Sequence, residues 1–315
     1  MGGYWPDAVS SPGGYSGGAV WDTTPVIDPK RNSVYVGTGN NYSVPADVAA
    51  CFAANNNNPS CTADADYFDS VVALDLTTGN VKWATRALFY DAWNVDCIFV
   101  APGTDNCPNP AGPDYDFGGA GPNLLSVAGG DVIGIGEKSG IYWALNPDSG
   151  AVIWHTQVGP GSTLGGIEWG TAYDGTRIYA PIANLNRSSY TLPNGTSANG
   201  GSWAALDPVA GKILWQTPVP GGYMGLGPAS VGNGVVFVGS MDNTPTPNPN
   251  PTMFALNAAT GAILWQYAPG SSVNAAPAIV GNMIFWGSGY GHFGSFLGTG
   301  NNKLFAFIAG DANTQ

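Results

Sequence analysis

Four cysteines are the first side chains whose chemistry can be inferred from spacing, because they form two local pairs. The pairs are Cys51/Cys61 and Cys97/Cys107, and each lies in a stretch rich in Gly, Asn and Pro. A zinc site would need further ligands, but the only two histidines lie elsewhere in the chain. Two disulfides that staple the loops are favoured over a zinc site, and they imply an oxidising compartment, periplasmic or secreted.

A sequence motif that occurs four times predicts the secondary structure of much of the chain. Each copy reads Ala-Leu-Asp/Asn, with a glycine six residues after the alanine and a tryptophan ten residues after it. The copies run over 73–83, 144–154, 205–215 and 255–265. Turn formers between two short apolar runs predict a β-hairpin. A fixed register with variable spacing between copies is typical of a repeat architecture. A tryptophan at the same place in every unit can pack between neighbouring units, so the repeated motif predicts a β-propeller.

Composition limits the class of protein and its partners. The chain has 315 residues, of which 10% are charged, with 47 glycines and 25 prolines, which suits one large all-β domain. Its net charge is −12 with nine Lys and Arg, so nucleic acid and anionic membranes are not expected partners. No apolar run approaches the ~18 residues of a membrane span, and Met1–Pro12 lacks the features of a secretory signal.

The strand pattern predicts a single, partial propeller domain over residues 1–315 with about five blades. The expected blades cover 16–87, with an insertion that carries the first cysteine pair, then 119–158, 164–219, 223–268 and 273–308. Residues 88–118 form a long loop that is expected to be functional. Neither end of the chain offers a strand to complete the last blade, so we expect an incomplete ring.

Several motifs, taken together, resemble the alcohol dehydrogenases that use pyrroloquinoline quinone (PQQ), and the polyvinyl-alcohol dehydrogenase branch in particular. These motifs are Trp21, Gly37-Thr38-Gly39-Asn40, Asp91-Ala92-Trp93-Asn94-Val95-Asp96, Lys138-Ser139-Gly140-Ile141-Tyr142, Gly166-Ile167-Glu168-Trp169 and Trp286-Gly287-Ser288-Gly289-Tyr290. They extend over nearly the whole chain, and their order and spacing make the match specific. The resemblance implies an eight-bladed propeller that holds PQQ and Ca²⁺ near its axis. It also implies oxidation of alcohols or polyols and electron transfer to a cytochrome c-type or dye acceptor.

The resemblance assigns the cofactor contacts. Trp21 matches the indole that stacks under the flat quinone, although it could be an ordinary strand tryptophan. Lys138 matches the basic residue that hydrogen-bonds the quinone oxygens, and it is one of only nine basic residues in the chain. Glu168 and Trp169 occupy a stretch that lines the cofactor in relatives, or they are structural residues of an inner strand. Asn40 matches the amide ligand of calcium, a cation that prefers oxygen donors, or it is a turn residue.

The departure from the family is at the catalytic base. Relatives carry an aspartate directly after the tryptophan of the Asp91–Asp96 motif, whereas this chain has Asn94, which cannot take a proton. In an extended segment, residues two apart point the same way, so Asp96 would share the face of Asn94. Asp96 is therefore the expected replacement, and Asp91 is the other carboxylate within reach.

The match also begins partway through the family's fold. At ~40–50 residues per blade, roughly three blades precede the matched region. The chain is expected to be the C-terminal portion of a longer protein or a reduced relative. A competing interpretation is a non-catalytic propeller that serves as a binding or assembly scaffold, as in bacterial outer-membrane assembly propellers. A third is a carbohydrate-binding propeller with Trp5 or Trp286 as an exposed platform.

Overall fold

The computed structural model describes residues 14–21, 24–54, 58–245, 247–291 and 298–309. The expectations for both chain ends and for Trp5 concern residues outside these ranges. Within them the chain is all-β apart from short helices, as the sequence predicts. Of the helices in the described part, none is both long and apolar enough to cross a membrane.

The strands and helices follow the repeat pattern along the chain. In chain order the strands are β1 (Ser16–Gly17), β2 (Val26–Asp28), β3 (Ser33–Gly37), β4 (Asn41–Ser43), β5 (Ser70–Asp75), β6 (Val81–Arg86), β7 (Asn123–Val127), β8 (Gly130–Gly136), β9 (Ile141–Leu145), β10 (Val152–Gln157), β11 (Ala172–Tyr173), β12 (Ile178–Ile182), β13 (Tyr190–Thr191), β14 (Ser197–Ala198), β15 (Ser202–Leu206), β16 (Ile213–Pro218), β17 (Ser230–Gly232), β18 (Val235–Gly239), β19 (Met253–Asn257), β20 (Ile263–Tyr267), β21 (Ala278–Val280), β22 (Met283–Ser288) and β23 (Lys303–Ile308). Within the ranges described above, one α-helix, α1 (Ala46–Ala54), and three 3₁₀ helices, Pro59–Cys61, Val95–Ile98 and Pro220–Gly222, lie between them.

The larger sheets are antiparallel and come one after another in the chain. The first to fourth sheets have the strand orders β2-β3-β5-β6, β7-β8-β9-β10, β11-β12-β15-β16 and β17-β18-β19-β20, and the fifth sheet is β21-β22-β23. Two short ribbons, β1-β4 and β13-β14, accompany them. The first strands of neighbouring sheets contact one another, from β2 with β7 through to β17 with β21. The sheets therefore share one inner side.

The apolar core lies between neighbouring sheets. One buried cluster joins the first and second sheets, another the second and third, and a third cluster joins the third and fourth. Strands β12 and β15 are buried at every position, because sheets cover both of their faces. The outer strand β10 alternates between exposed and half-buried residues after its first two positions. Continuous apolar runs in the middle strands follow from this stacking.

The repeated motif forms the hairpin between the last two strands of each of the first four sheets. Each repeat alanine pairs with the repeat tryptophan of the next strand, as Ala73 does with Trp83. The Asp or Asn side chain accepts hydrogen bonds from two backbone N–H groups of its own turn, as Asp75 does from Thr77 and Thr78. The repeat glycine has a positive φ in all four turns, which glycine adopts without strain.

Three of the four repeat tryptophans contact the hairpin of the next sheet. Their indole Nε1 atoms donate to a backbone carbonyl in that hairpin, Trp83 to Pro147 at 3.0 Å, Trp154 to Pro208 at 3.3 Å and Trp215 to Ala258 at 2.9 Å. A Cβ atom on the glycine of that hairpin would meet the indole at about 2.5 Å, so only glycine fits there. Trp265 is 37% exposed and instead packs against Tyr267 and Phe307.

Both predicted disulfides are present. Cys51–Cys61 ties α1 to the 3₁₀ helix Pro59–Cys61, within the insertion of the first sheet. Cys97–Cys107 closes a loop inside residues 88–118. Backbone hydrogen bonds fasten this long segment to the ribbon β1-β4, where Asn41 N donates to Asp91 O, and to the end of β3, where Phe117 N donates to Thr38 O. The segment is thereby held against the side of the sheets on which Lys138 lies.

Candidate functional site

A buried lysine forms the centre of the site. Lys138 follows β8 and is 5% exposed. Its Nζ donates to Asp114 Oδ1 at 3.1 Å and to Asp116 Oδ2 at 3.3 Å, and both carboxylates are buried. A buried charge is costly unless it is paired, so the three residues depend on one another. We call Lys138, Asp114 and Asp116 the lysine cluster.

Asp91 fixes the backbone of the loop that carries Asp114 and Asp116. It is fully buried, and its carboxylate accepts hydrogen bonds from the backbone N–H groups of Asp114 at 3.1 Å and Tyr115 at 2.7 Å. Burial raises the pKa of the Asp91 carboxyl to about 7, although these two N–H groups oppose the shift. Both oxygens of Asp91 are thus engaged in fixing the loop, which favours a positioning role.

Trp21 lies beside the lysine cluster. The Lys138 Nζ is 5.0 Å from the centroid of the Trp21 ring, a cation–π distance. The ring of Trp169 meets Trp21 edge-on, with centroids 5.7 Å apart. A Cβ at residue 118 would lie 1.8 Å from the Trp21 indole nitrogen, so Gly118 is required for this approach. The indole is therefore packed from several sides.

These residues line a single large cavity. Its volume is 1270 Å³, and its lining includes Trp21, Asp114, Lys138, Glu168 and Trp169. Buried polar atoms at Asp114 Oδ2, Glu168 Oε2 and Trp169 Nε1 have no hydrogen-bond partner among the described residues. Such atoms are normally paired, so the cavity presents acceptors and a donor for a polar molecule. The structure brings Trp21, Lys138, Glu168 and Trp169 together around one space.

Asn40 lies outside the lining of that cavity. It is 4% exposed, and its Nδ2 donates to the backbone carbonyls of Asn41 at 2.9 Å and Trp93 at 2.6 Å. The amide thereby ties the end of the first sheet to the 88–118 segment. Within the described ranges no group of three or more His, Cys, Asp or Glu residues could hold a metal ion.

Asn94 and Asp96 belong to a helix cap, so the expectation of an extended segment there is wrong. Val95–Ile98 forms a 3₁₀ helix, and Asn94 Oδ1 accepts from Asp96 N at 3.1 Å. Asp96 Oδ2 accepts from Asn106 Nδ2 at 2.8 Å, an exposed contact. Neither residue lines the cavity, whereas Val95 and Ile98 do. Asn94 is adapted to capping, because its short side chain reaches the first free N–H groups of the helix.

The expectation of Trp286 as an exposed sugar platform is also wrong. Trp286 is 1% exposed, and its Nε1 donates to Ala275 O at 2.8 Å. Its ring lies within the apolar cluster between the fourth and fifth sheets. A buried indole offers no open face for stacking on a sugar.

Burial dominates the electrostatics of the site. It raises the pKa of the Asp114 carboxyl well above its ordinary value even though Lys138 opposes the shift. It raises the pKa of Glu168 to about 7. Burial alone lowers the pKa of the Lys138 ammonium, but Asp116, Glu168 and Asp114 together raise it well above its ordinary value. The lysine therefore stays protonated, beside carboxyl groups that can hold a proton near neutral pH.

The Glu168→Gln variant should lose a pH dependence of stability that the wild type shows. The Glu168 pKa rises from 4.5 to about 7 on folding. Stability from a raised carboxyl pKa is fully present below the unfolded value and is lost as pH rises through the folded value. The wild type should lose about 3 kcal/mol between those values through this group, and the variant should not. Urea unfolding across this pH range measures the difference, with Asp64→Asn at an exposed carboxyl as the control. Equal slopes in wild type and E168Q contradict the prediction.

Sequence reasoning missed Asp114 and Asp116. Both lie in the same loop as Asp96, in the stretch Asp114-Tyr115-Asp116. Their spacing of two residues is no signal for a shared face, because Asp114 has a positive φ of 60° and the chain is not extended there. Their pairing with Lys138, 22 and 24 residues away, depends on the fold.

A family model described as outer membrane protein assembly factor BamB matches residues 199–315. The match covers the last part of the chain, from just before β15 onwards. Trp21, the lysine cluster, Glu168 and Trp169 all precede it.

Named proteins align along most of the chain. A polyvinylalcohol dehydrogenase from Sphingopyxis sp. (strain 113P3) is 33% identical over 330 residues, which cover 93% of this chain and 45% of that protein. A polyvinylalcohol dehydrogenase from Pseudomonas sp. is 30% identical, with the same two coverages. A quinohemoprotein alcohol dehydrogenase from Comamonas testosteroni is 25% identical and covers 87% of this chain and 43% of that protein. The chain spans about half the length of the curated relatives it matches.

Solved structures share the fold. The crystal structure of the quinohemoprotein alcohol dehydrogenase from Comamonas testosteroni superposes with a TM-score of 0.59 at 20% identity, covering 95% of this chain and 50% of that chain. The quinohemoprotein alcohol dehydrogenase ADHIIG from Pseudomonas putida HK5 gives a TM-score of 0.62 at 18% identity, with coverages of 99% and 52%. At these identities the likeness concerns the β-propeller fold alone.

Proposed function

This chain is related by sequence to the quinoprotein alcohol dehydrogenases, and from that premise we propose that it carries the cofactor and proton-transfer site of a PQQ-dependent alcohol dehydrogenase. The observation that carries the proposal is the pair Lys138 and Asp114 beside Trp21, in the lining of a cavity with unpaired polar atoms. A purely structural ion pair has no need of an indole, an ammonium and free acceptors around one space.

The side chains of Trp21, Lys138 and Trp169 in the cavity lining fit a flat quinone. Trp21 supplies an aromatic surface for stacking, and Lys138 is a protonated donor for quinone oxygens. Trp169 Nε1 adds an indole donor that has no partner among the described residues. When bound, PQQ supplies the two-electron acceptor that alcohol oxidation requires.

Asp114 is the proposed proton acceptor for the alcohol. Its Oδ2 is unpaired, it lines the cavity, and burial raises the pKa of its carboxyl. Asp114 Oδ1 is anchored by Lys138, and Asp91 holds the backbone N–H of Asp114, so the free oxygen has a fixed position. As the hydroxyl proton passes to Asp114, the carbinol hydrogen leaves with its electron pair and the alcohol becomes a carbonyl compound.

We also propose a calcium ligand for this site. Asn40 remains a candidate donor to Ca²⁺, with other ligands supplied from outside the described residues. The proton transfer to Asp114 does not depend on the metal.

We propose that the five sheets are the C-terminal part of an eight-bladed propeller with tryptophan-docked blades, since the matched relatives are about twice as long. The names of those relatives suggest polyvinyl alcohol or another secondary alcohol as substrate. A cytochrome c-type acceptor and a periplasmic or secreted location fit the quinohemoprotein relatives and the two disulfides.

A non-catalytic assembly or binding scaffold is the second candidate. The match to the outer-membrane assembly family favours it, but that match is confined to residues 199–315. The candidate catalytic residues lie in the part of the chain that this family does not cover.

Equilibrium binding of PQQ distinguishes the two functions. Titration of the purified chain with PQQ and Ca²⁺ should quench tryptophan fluorescence and be followed by dye reduction when an alcohol is added. The Trp21→Leu variant should lose the quenching, while Trp265→Leu, outside the cavity, should keep it. Absence of both quenching and dye reduction in the wild type would leave the scaffold as the better account.

A further inference from the structure

One guanidinium group lies at the mouth of the cavity. The residues that line the cavity include four charged side chains, those of Asp114, Lys138, Glu168 and Arg187. The first three are buried, whereas Arg187 is exposed, so Arg187 lies on the side where the cavity opens to solvent. Within the part of the chain that the structure describes, Arg187 has no carboxylate at ion-pair distance.

A buried asparagine fixes the turn that carries Arg187. Asn184 is inaccessible to solvent, and its Nδ2 donates to the backbone carbonyls of Ser188 at 2.9 Å and Gly200 at 3.1 Å. Arg187 N donates to Asn184 O at 3.1 Å. The φ of Arg187 is 50°, in the left-handed region that few residues other than glycine adopt. Such a backbone persists only where its surroundings enforce it, so the turn presents the arginine in a defined direction.

The Arg187 guanidinium is anchored through one of its nitrogens. Its Nη1 donates to Gly222 O at 3.0 Å, and the described ranges contain no other hydrogen bond of this side chain. A guanidinium has five N–H donors in a planar fork, so most of them stay available. That fork matches a carboxylate, which can accept two parallel hydrogen bonds from it. The group is therefore adapted to an anionic ligand.

The net charge of the chain increases the importance of this cation. The net charge is −12 with nine Lys and Arg, so an anion that approaches from solvent is repelled on average. Of the described basic residues, only Lys138 and Arg187 line the cavity. Lys138 is neutralised by Asp114 and Asp116. Arg187 thus supplies the local positive potential at the entrance.

We infer that Arg187 recognises a carboxylate group on the molecule that enters the cavity. The inference rests on the proposed function for the identity of that molecule. The carboxylate has two possible sources, PQQ, which is a planar ring that carries carboxylates, or an alcohol with a carboxylate at the end opposite its hydroxyl group. In the second case the hydroxyl group would lie at Asp114 and the carboxylate at Arg187. In both cases Arg187 acts by binding and takes no part in proton transfer.

Arg187→Gln tests this assignment, and Arg177→Gln is the matched control. Arg177 also has no carboxylate at ion-pair distance among the described residues, and its Nη1 donates to Thr176 Oγ1 at 3.2 Å, but it does not line the cavity. Calorimetric titration of the cofactor-free chain with benzene tricarboxylate, a planar anion, measures binding directly. Arg187→Gln should weaken this binding about tenfold, the effect of losing one charge-assisted hydrogen bond, and Arg177→Gln should leave it unchanged.

The uncharged benzene tricarboxamide separates charge recognition from recognition of shape. Its affinity should be the same for the wild type and Arg187→Gln. Equal affinities of the two arginine variants for the tricarboxylate, or no binding of the tricarboxylate by the wild type, contradict the inference.

Two kinetic measurements identify the source of the carboxylate. If it belongs to the cofactor, Arg187→Gln should slow PQQ association, followed by tryptophan fluorescence, about fivefold at ~10 mM salt. The difference should vanish at ~1 M salt, where charges are screened within ~3 Å. If it belongs to the substrate, the ratio of kcat/KM for hydroxyhexanoate to that for hexanol should fall about tenfold in the PQQ-loaded variant. In an active protein, no change in either measurement contradicts the inference.

The same experiments separate failure of this inference from failure of the proposed function. If the wild type shows neither PQQ quenching nor alcohol oxidation, but Arg187→Gln still weakens tricarboxylate binding, the proposed function fails and the carboxylate site stands. If PQQ binds and alcohols are oxidised, while Arg187→Gln and Arg177→Gln behave alike in all of these measurements, the carboxylate site fails and the proposed function stands.

Discussion

Replacement of Lys138 by methionine should lower the free energy of unfolding by about 3–5 kcal/mol, because it leaves two buried carboxylates without their cation. Asp114 and Asp116 are both nearly inaccessible to solvent, and Lys138 Nζ is the ammonium that both of them contact. Methionine matches the length of the lysine stem and fills its space, so the measured loss reports charge rather than a cavity. Denaturation with guanidinium at pH 8 measures it.

Lys30→Met is the matched control for this loss. Lys30 also pairs with an aspartate at 3.0 Å, but its side chain is 71% exposed. Exposed ion pairs typically contribute below about 1 kcal/mol, so this variant should stay close to the wild type. The cost of Lys138→Met should also shrink toward pH 5, because the raised pKa of Asp114 lets that carboxyl take up a proton. Equal losses in the two variants, or a loss that does not change with pH, argue against a buried charge cluster.

The repeat made the fold predictable from the sequence. Turn residues recur at a fixed register. The geometry of a hairpin such as the one with Asp75 and Gly79 follows from residue types alone, because all of its contacts are local in sequence. The sequence predicts a tryptophan at one place in each unit, and the indole of Trp83 donates a hydrogen bond to Pro147 O in the next sheet, a partner that the sequence does not name. The disulfides followed from local pairing of cysteines in loops.

The proposed proton acceptor was not predictable in the same way. The Asp91–Asp96 motif suggested a base at Asp96, but Asn94 begins a 3₁₀ helix there and turns Asp96 toward Asn106. Nothing in a linear pattern of short polar residues separates a cap from an extended segment. Asp114 reaches Lys138 only because Asp91 binds the backbone at Asp114 and Tyr115, a contact across more than 20 residues of irregular loop. Long-range loop contacts of this kind leave no periodic signal.

Asp114→Asn should reduce kcat for alcohol oxidation by about a thousandfold, within the range expected for loss of a general base. Asparagine keeps the size of the side chain and tolerates the positive φ of 60° at this position, so the fold should be retained. Lys138 keeps Asp116 as its partner. The readout is the steady-state rate of dye reduction in the PQQ-loaded protein, with circular dichroism and quinone binding as checks that the variant is folded and loaded.

Asp96→Asn is the control that decides between the two carboxylates. The side chain of Asp96 accepts from Asn106 at the surface, so its replacement should change kcat by less than about twofold, whereas a base loses its function when it can no longer take a proton. The pH dependence adds a second criterion, because a base with a raised pKa becomes active only as pH rises through that pKa. The wild-type rate should therefore fall on the acid side, and Asp114→Asn should lose this limb while Asp96→Asn retains it. The reverse result, a large loss in Asp96→Asn and little change in Asp114→Asn, would mean that the helix at Val95–Ile98 rearranges to bring Asp96 to the substrate.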